Sequence, residues 1–360
     1  MSEITAILNK TDLTREDLVC LLQAENEDRL ALFEKAASVR EKNVGNSVYL
    51  RGLIELSNIC SKNCMYCGIR RDNKKIHRYD LEDDQVLEAA EYAYTNGYGS
   101  LVLQSGELSN QKFTDRIEKL LRQIKQQSKG ELGITLSLGE QSFETYKKWS
   151  DAGAHRYLLR IETSNKEFYR KLHPNDANHD YDRRLQCLKD LKEIGYQVGT
   201  GVMIGLPFQT YELLADDLMF MKELDIDMVG MGPYIEHEDT PLFQYRDTLL
   251  PPEKRLDLSL KMIAILRILM KDINMAATTA MQAIDKIGRG KAIKAGANVV
   301  MPNITPGDFR DDYALYQNKP CTSENADDCK SCLEARIHIT GYDIGYNQWG
   351  DSRHFHKRIK

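Results

Sequence analysis

Eight short apolar, β-branched runs recur along the chain, each followed by a stretch of helical periodicity. They are VYLRGLIELSN (48–58), SLVLQS (100–105), LGITLSLG (132–139), HRYLLRIE (155–162), QVGTGVMIG (197–205), DMVGMGP (227–233), NMAATTA (274–280) and ANVVMPN (297–303). Continuous runs of this kind read as parallel strands buried on both faces. Between them, amphipathic segments at 81–97, 112–127, 142–153, 181–195, 210–225 and 252–270 read as helices, with Gly97 stopping the first. Eight such units favour a closed α/β fold, the (β/α)8 TIM barrel, over an open sheet. Residues 46–307 are expected to form the barrel, 1–45 an N-terminal helical extension, and 308–360 a C-terminal extension with its own cysteine cluster.

Barrels of this type build their active sites at the C-terminal ends of the strands. Polar and glycine-containing segments fall at those ends: QSGE (104–107), LGE (138–140), RIET (160–163), GLP (205–207), GPYIEHEDTP (232–241), TTAM (278–281) and MPN (301–303). They are expected to converge on one mouth.

A second feature sits in the loop after the first run, where CSKNCMYCG (60–68) places three cysteines close together. The context bears on what they do. The net charge of −5 is spread without long blocks of one sign, which argues against a nucleic-acid partner. The N-terminus MSEITAILNKTDLTRED lacks an export signal, and no run approaches the length of a membrane span, so the expected setting is cytoplasmic. Thiols there stay reduced, and clustered ones bind metal or do redox chemistry. Six of the eight cysteines fall in two sets, Cys60, Cys64, Cys67 and Cys321, Cys329, Cys332; Cys20 and Cys187 are expected to be packing residues. A structural zinc site usually takes four ligands, and the nearest histidine, His77, lies ten residues past Cys67. Three thiolates suit a 4Fe-4S cluster with one iron left open, although zinc and redox thiols remain alternatives. His237 has no partner at metal-ligand spacing and reads as a loop histidine.

Cys60-x3-Cys64-x2-Cys67 after a first barrel strand, with Tyr66 before the third cysteine, resembles the signature of radical S-adenosylmethionine enzymes. The resemblance implies a 4Fe-4S cluster whose open iron binds S-adenosylmethionine, and a 5′-deoxyadenosyl radical made by reductive cleavage. It implies that Gly106 and Glu107 approach the cofactor's ammonium group, that Glu162 supports the same ligand, and that Arg184 meets its carboxylate. It also implies that Met203, within GVMIG (201–205), packs beside the adenine.

The wider wording, including CGIRRDNKK, VLQSGE, TLSLGE, AATTAM and ANVVMPN, resembles the HydE family of FeFe-hydrogenase maturases from about residue 48 to 335. That resemblance implies assembly of the two-iron subcluster from a small anionic, organometallic substrate, a cysteine-bound iron carbonyl-cyanide complex whose sulfur the radical attacks. Implied partners are two sister maturases, a tyrosine-lyase radical enzyme and a GTPase scaffold, and a flavodoxin or ferredoxin as electron donor. Arg160, Thr278, Thr279, Met301, Tyr313 and Tyr316 match positions that line the barrel or its lower anion sites. Cys321-x7-Cys329-x2-Cys332 resembles an accessory site for a second, 2Fe-2S cluster, with zinc or bare thiols as alternatives. The acidic GDFRDDY (307–313) is unexpected beside an anionic substrate, and the tail after 335 carries no readable motif. Two other readings stay open: an enzyme like biotin synthase or methylornithine synthase acting on a small organic substrate, and a non-catalytic iron-sulfur carrier, for which Glu107, Glu162 and Arg184 would have no use.

Overall fold

In the computed structural model, residues 3–322 and 326–359 are described. Each of the eight runs contains a strand: Ser47–Ser57, Ser100–Ser105, Gly133–Ser137, Arg156–Leu158, Gln197–Thr200, Met228–Val229, Asn274–Met275 and Val299–Val300. All pair in parallel and in chain order, and the eighth returns to lie beside the first. A parallel bridge from Ala276 to Val299 brings the seventh alongside the eighth and completes the ring, as a TIM-barrel-like fold requires.

The helices follow from their patterns. Helix Gln111–Gln127 buries Phe113, Ile117, Leu120, Leu121 and Ile124 on one stripe, and the Asn110 side chain caps it by accepting from the Phe113 N–H. Helix Asp83–Thr95 ends before Gly97, whose φ of +73° suits glycine. Helix Pro252–Leu269 is buried over most of its length, because helices Arg15–Leu22 and Asn26–Asn43 cover its outer side.

Two runs depart from their expected form. The stretches 197–205 and 227–233 each break in two, giving Met203–Ile204 and Gly232–Pro233, which pair with each other in a separate two-stranded sheet. The break occurs where Gly201 meets Gly230: a Cβ on Gly201 would lie 2.0 Å from the Gly230 carbonyl oxygen. Only glycine permits this close approach, and the ladder between the two runs stops beside it, at Thr200 and Val229. The seventh run is also cut short, because Thr279 already opens helix Thr279–Ile284.

The tail unreadable in sequence closes the opposite end of the barrel. Asp343–Ile344 adds a parallel pair to the start of the first strand. Beyond it, the Gly350 carbonyl accepts from Arg51 Nη2 at 3.2 Å and Asn274 Nδ2 at 2.7 Å. The buried Arg156 guanidinium donates to the Trp349 carbonyl at 2.9 Å and to Asp351 at 2.5 Å. The following helix, Arg353–Arg358, is tied down by His354, which lies 2.6 Å from Asp225 and 3.0 Å from Asp272. Among the described residues no helix is long and apolar enough to cross a membrane.

Candidate active site

At the C-terminal ends of the strands the barrel opens into a cavity of about 330 Å³. Cys60, Cys64 and Cys67 line it, and so do Tyr66, Gly106, Glu107, Glu162, Arg184 and Met203. Arg160, Thr278, Thr279, Met301, Tyr313 and Tyr316 line the same space, as does Cys321.

The cysteine loop is irregular backbone, and side chains satisfy its polar groups. The Arg78 guanidinium donates to the carbonyls of Asn58, Ile69, Arg70 and Asn73, and Asn73 donates to that of Gly68 at 2.7 Å. Gly106 holds the end of the second strand against this loop: its N–H donates to the Ser57 carbonyl at 2.8 Å. The next N–H, of Glu107, reaches Cys60 Sγ at 3.3 Å. Burial pushes the Cys60 thiol up, burial and the neighbouring Cys60 push Cys64 up to about 12, and burial with Cys64 and Cys60 nearby raises Cys67 well above the usual thiol value. Three crowded thiols with so little compensating charge fit a site where iron supplies the positive charge. Among the described residues no three metal-ligating side chains gather at single-ion distance; the thiols instead border the open cavity.

Tyr66 is fixed by a histidine that sequence reasoning missed. His173 Nδ1 lies 2.9 Å from the Tyr169 carbonyl, which can only accept, so that nitrogen carries the proton. Burial drops the ring's pKa to about 3, which keeps it neutral, and its Nε2 accepts from the Tyr66 hydroxyl at 3.1 Å. His179 Nε2 likewise accepts from the Asn63 N–H at 2.8 Å.

Behind the thiols four charges lock together. Lys62 Nζ lies 3.0 Å from Glu107 Oε1 and 3.0 Å from Glu140 Oε2; Arg184 Nη1 lies 2.5 Å from Glu140 Oε1 and 3.8 Å from Glu107 Oε2. Lys62 and Glu140 were not singled out from sequence, although both stand in quoted segments, one inside CSKNC and the other ending LGE. Arg184 Nε also donates to the Arg160 carbonyl at 2.6 Å. Glu162 holds a left-handed φ of +68°, bridges to Val202, and accepts from Arg160 Nη2 at 3.0 Å. Such a backbone costs a non-glycine residue roughly 1–3 kcal/mol and persists where the surroundings over-determine it.

Deeper in the cavity, Arg289 Nη2 donates to Thr279 Oγ1 at 2.8 Å and Gln104 Nε2 to the Tyr313 hydroxyl at 3.2 Å. Lys319 Nζ reaches both oxygens of the buried Glu55 at 2.7 Å. The Nε atoms of Arg160 and Arg289 are buried without a hydrogen-bond partner among the described residues. The acidic stretch sends only Tyr313 into this space; of its carboxylates, Asp308 and Asp311 are exposed and Asp312 pairs with His77 at 2.8 Å. His237 packs against Gly68 beneath the cysteine loop.

The second cysteine set is only partly described. Cys321 lines the cavity, Cys332 is exposed on helix Ala326–Ile339, and the Cys329 side chain lies outside the described residues. Cys187 is buried on helix Tyr181–Ile194, its thiol facing the Gln141 carbonyl, and Cys20 is half-buried.

The Radical SAM superfamily profile matches residues 54–221. The chain is 44% identical to the FeFe-hydrogenase maturase subunit HydE of Thermotoga maritima over 98% of each chain. It is 30% identical to a 3-methylornithine synthase of Methanosarcina acetivorans, over 84% of this chain and 83% of that one. Among solved structures, methylornithine synthase superposes with a TM-score of 0.80 at 27% identity, covering 96% of this chain and 98% of the other.

Proposed function

Because this chain belongs to the HydE family of radical S-adenosylmethionine enzymes, we propose that it works in FeFe-hydrogenase maturation on a small anionic organometallic substrate, a cysteine-bound iron carbonyl-cyanide complex. The family implies a 4Fe-4S cluster and S-adenosylmethionine. When bound, the pair supplies a 5′-deoxyadenosyl radical by one-electron cleavage of the sulfonium.

Cys60, Cys64 and Cys67 would hold the cluster, with Tyr66 steadied against it by His173. Glu107 and Glu162 would take the cofactor's ammonium group, Arg184 its carboxylate, and Met203 its adenine. Below them Arg160, Thr278, Thr279, Met301, Tyr313 and Tyr316 would hold the substrate. Unpartnered guanidinium nitrogens on Arg160 and Arg289 suit an anion, since a buried donor gains most from a charged acceptor. The apolar remainder of the wall excludes water from a reactive intermediate. In this reading Cys321, Cys329 and Cys332 serve an accessory 2Fe-2S cluster away from the radical step. Sister maturases, a tyrosine-lyase radical enzyme and a GTPase scaffold, would supply the substrate and take the product, with a flavodoxin or ferredoxin as reductant. Residues 46–307 would act as the catalytic barrel, with 1–45 and 308–360 as its extensions.

The observation that carries the proposal is the opening of three thiols, both strand-end carboxylates and Arg184 into one cavity. Anaerobic reconstitution, reduction with dithionite and addition of S-adenosylmethionine tests it. The wild type should form 5′-deoxyadenosine and Cys64→Ala none; equal yields from both would remove the cluster from the mechanism.

A further inference from the structure

The buried charge cluster contains one cation that the proposed ligand contacts do not use. Lys62 stands midway between Cys60 and Cys64, its side chain 9% exposed, and its Nζ makes three contacts: Glu107 Oε1, Glu140 Oε2 and the Asn178 carbonyl. Glu107 is mostly shielded, its side chain 11% exposed, and Gly139 packs so tightly on it that a Cβ there would lie 2.2 Å from Glu107 Cγ. The carboxylate therefore has little room to swing away. Its other cation, Arg184, is committed at 2.5 Å to Glu140 and stands 3.8 Å from Glu107. Lys62 is thus the closer counter-charge of Glu107.

Two carboxylates and two cations make this cluster neutral. An ammonium group arriving at Glu107 Oε1 would compete with Lys62 for the same oxygen, and a neutral cluster offers it no net attraction. Lys62 has somewhere to go: Glu140 and the Asn178 carbonyl already hold its Nζ from the other side. We propose that Lys62 is a stand-in for the cofactor's ammonium group, neutralising Glu107 until the ligand arrives and then withdrawing onto Glu140 and the Asn178 carbonyl. The exchange spares Glu107 an uncompensated buried charge at every stage, and its cost is weaker ligand binding. It makes Lys62 a positioning residue, and it rests on the reading above that Glu107 receives the ammonium.

The test compares ligand affinities of reconstituted holoenzyme at matched iron content, using Lys62→Met and Lys62→Gln. The probes are S-adenosylhomocysteine, which keeps the amino-acid moiety and is not cleaved, and 5′-methylthioadenosine, which lacks it. Without Lys62 the unpaired carboxylate should draw the ammonium more strongly, so both variants should bind S-adenosylhomocysteine about three- to tenfold tighter. Binding of 5′-methylthioadenosine should not change. Unchanged or weaker binding of S-adenosylhomocysteine by both variants overturns the exchange, weaker binding by marking Lys62 as a direct ligand contact. Glu107→Gln separates the underlying reading: it should weaken S-adenosylhomocysteine binding alone. If it does not, the assignment of Glu107 fails and the exchange falls with it.

Discussion

Gly106→Ala should cost the protein its iron before it costs the protein its fold. A Cβ at this position would lie 2.3 Å from the Ile59 carbonyl oxygen, 2.7 Å from the Ile59 carbonyl carbon and 2.9 Å from Cys60 Cβ. Carbon–oxygen contacts rarely fall below about 3.3 Å, so strand or loop must retreat by about 1 Å. The Ile59–Cys60 backbone is the part with freedom to move, since the strand end is bonded into the barrel wall. Overpacking of this kind costs about 1–3 kcal/mol, which for a chain of this size lowers the thermal midpoint by about 1–4 °C. The same movement pulls Cys60 off its register with Cys64 and Cys67. Gly130→Ala is the control: with φ +80° and nothing within 4 Å of its Cβ, it should lose about 1–2 kcal/mol through backbone strain alone. Calorimetry of the apo-proteins and iron analysis after reconstitution should show both variants destabilised and only Gly106→Ala short of iron. A Gly106→Ala protein with wild-type iron content would refute the claim that this glycine sets the cysteine loop.

Three further outcomes are expected. Arg160→Ala should keep its full iron content yet lose most substrate-dependent turnover, and its failure to lose turnover would move the substrate site elsewhere. Lys319→Met leaves the buried Glu55 carboxylate without its cation, 2.7 Å away in the wild type; unfolding titrations should record a loss of about 3–5 kcal/mol, and a loss under 1 kcal/mol, within about the scatter of surface changes, would show that the pair does not anchor the cavity floor. His354, between Asp272 and Asp225, has its pKa raised by those two carboxylates. Its contribution is full below the unfolded value of about 6.5 and disappears as pH rises through the higher folded value. His354→Gln should therefore be destabilised at pH 6 and approach wild type at pH 9, whereas an equal deficit at both would assign the loss to packing.

The barrel was legible because buried parallel strands leave a signal that survives without context: every one of the eight apolar runs holds a strand. The residues at their C-terminal ends were legible for the same reason, and Glu107, Glu162 and Thr278 all reach one cavity. Where the reading stopped, tertiary contacts decided. The approach of Gly201 to Gly230 splits two runs, and neither glycine reveals its partner in sequence. Lys62 and Glu140 lie 78 positions apart and acquire meaning only as a buried pair. His179 meets the Asn63 N–H, and His173 is oriented by the Tyr169 carbonyl before it reaches Tyr66, contacts over a hundred positions apart or to the backbone that no local motif encodes. The tail at 349–352 works chiefly by backbone acceptors offered to Arg51, Arg156 and Asn274, so it needs no periodicity and shows none.

The most direct test of the central claim is hydrogen production by apo-FeFe-hydrogenase matured in a mixture that holds the sister maturases but no HydE protein of its own. Adding this protein with S-adenosylmethionine and reductant should restore activity, and adding the Cys64→Ala variant should not. If the wild type formed 5′-deoxyadenosine in that mixture while the hydrogenase stayed inactive, the radical enzyme would stand and its place in hydrogenase maturation would be contradicted.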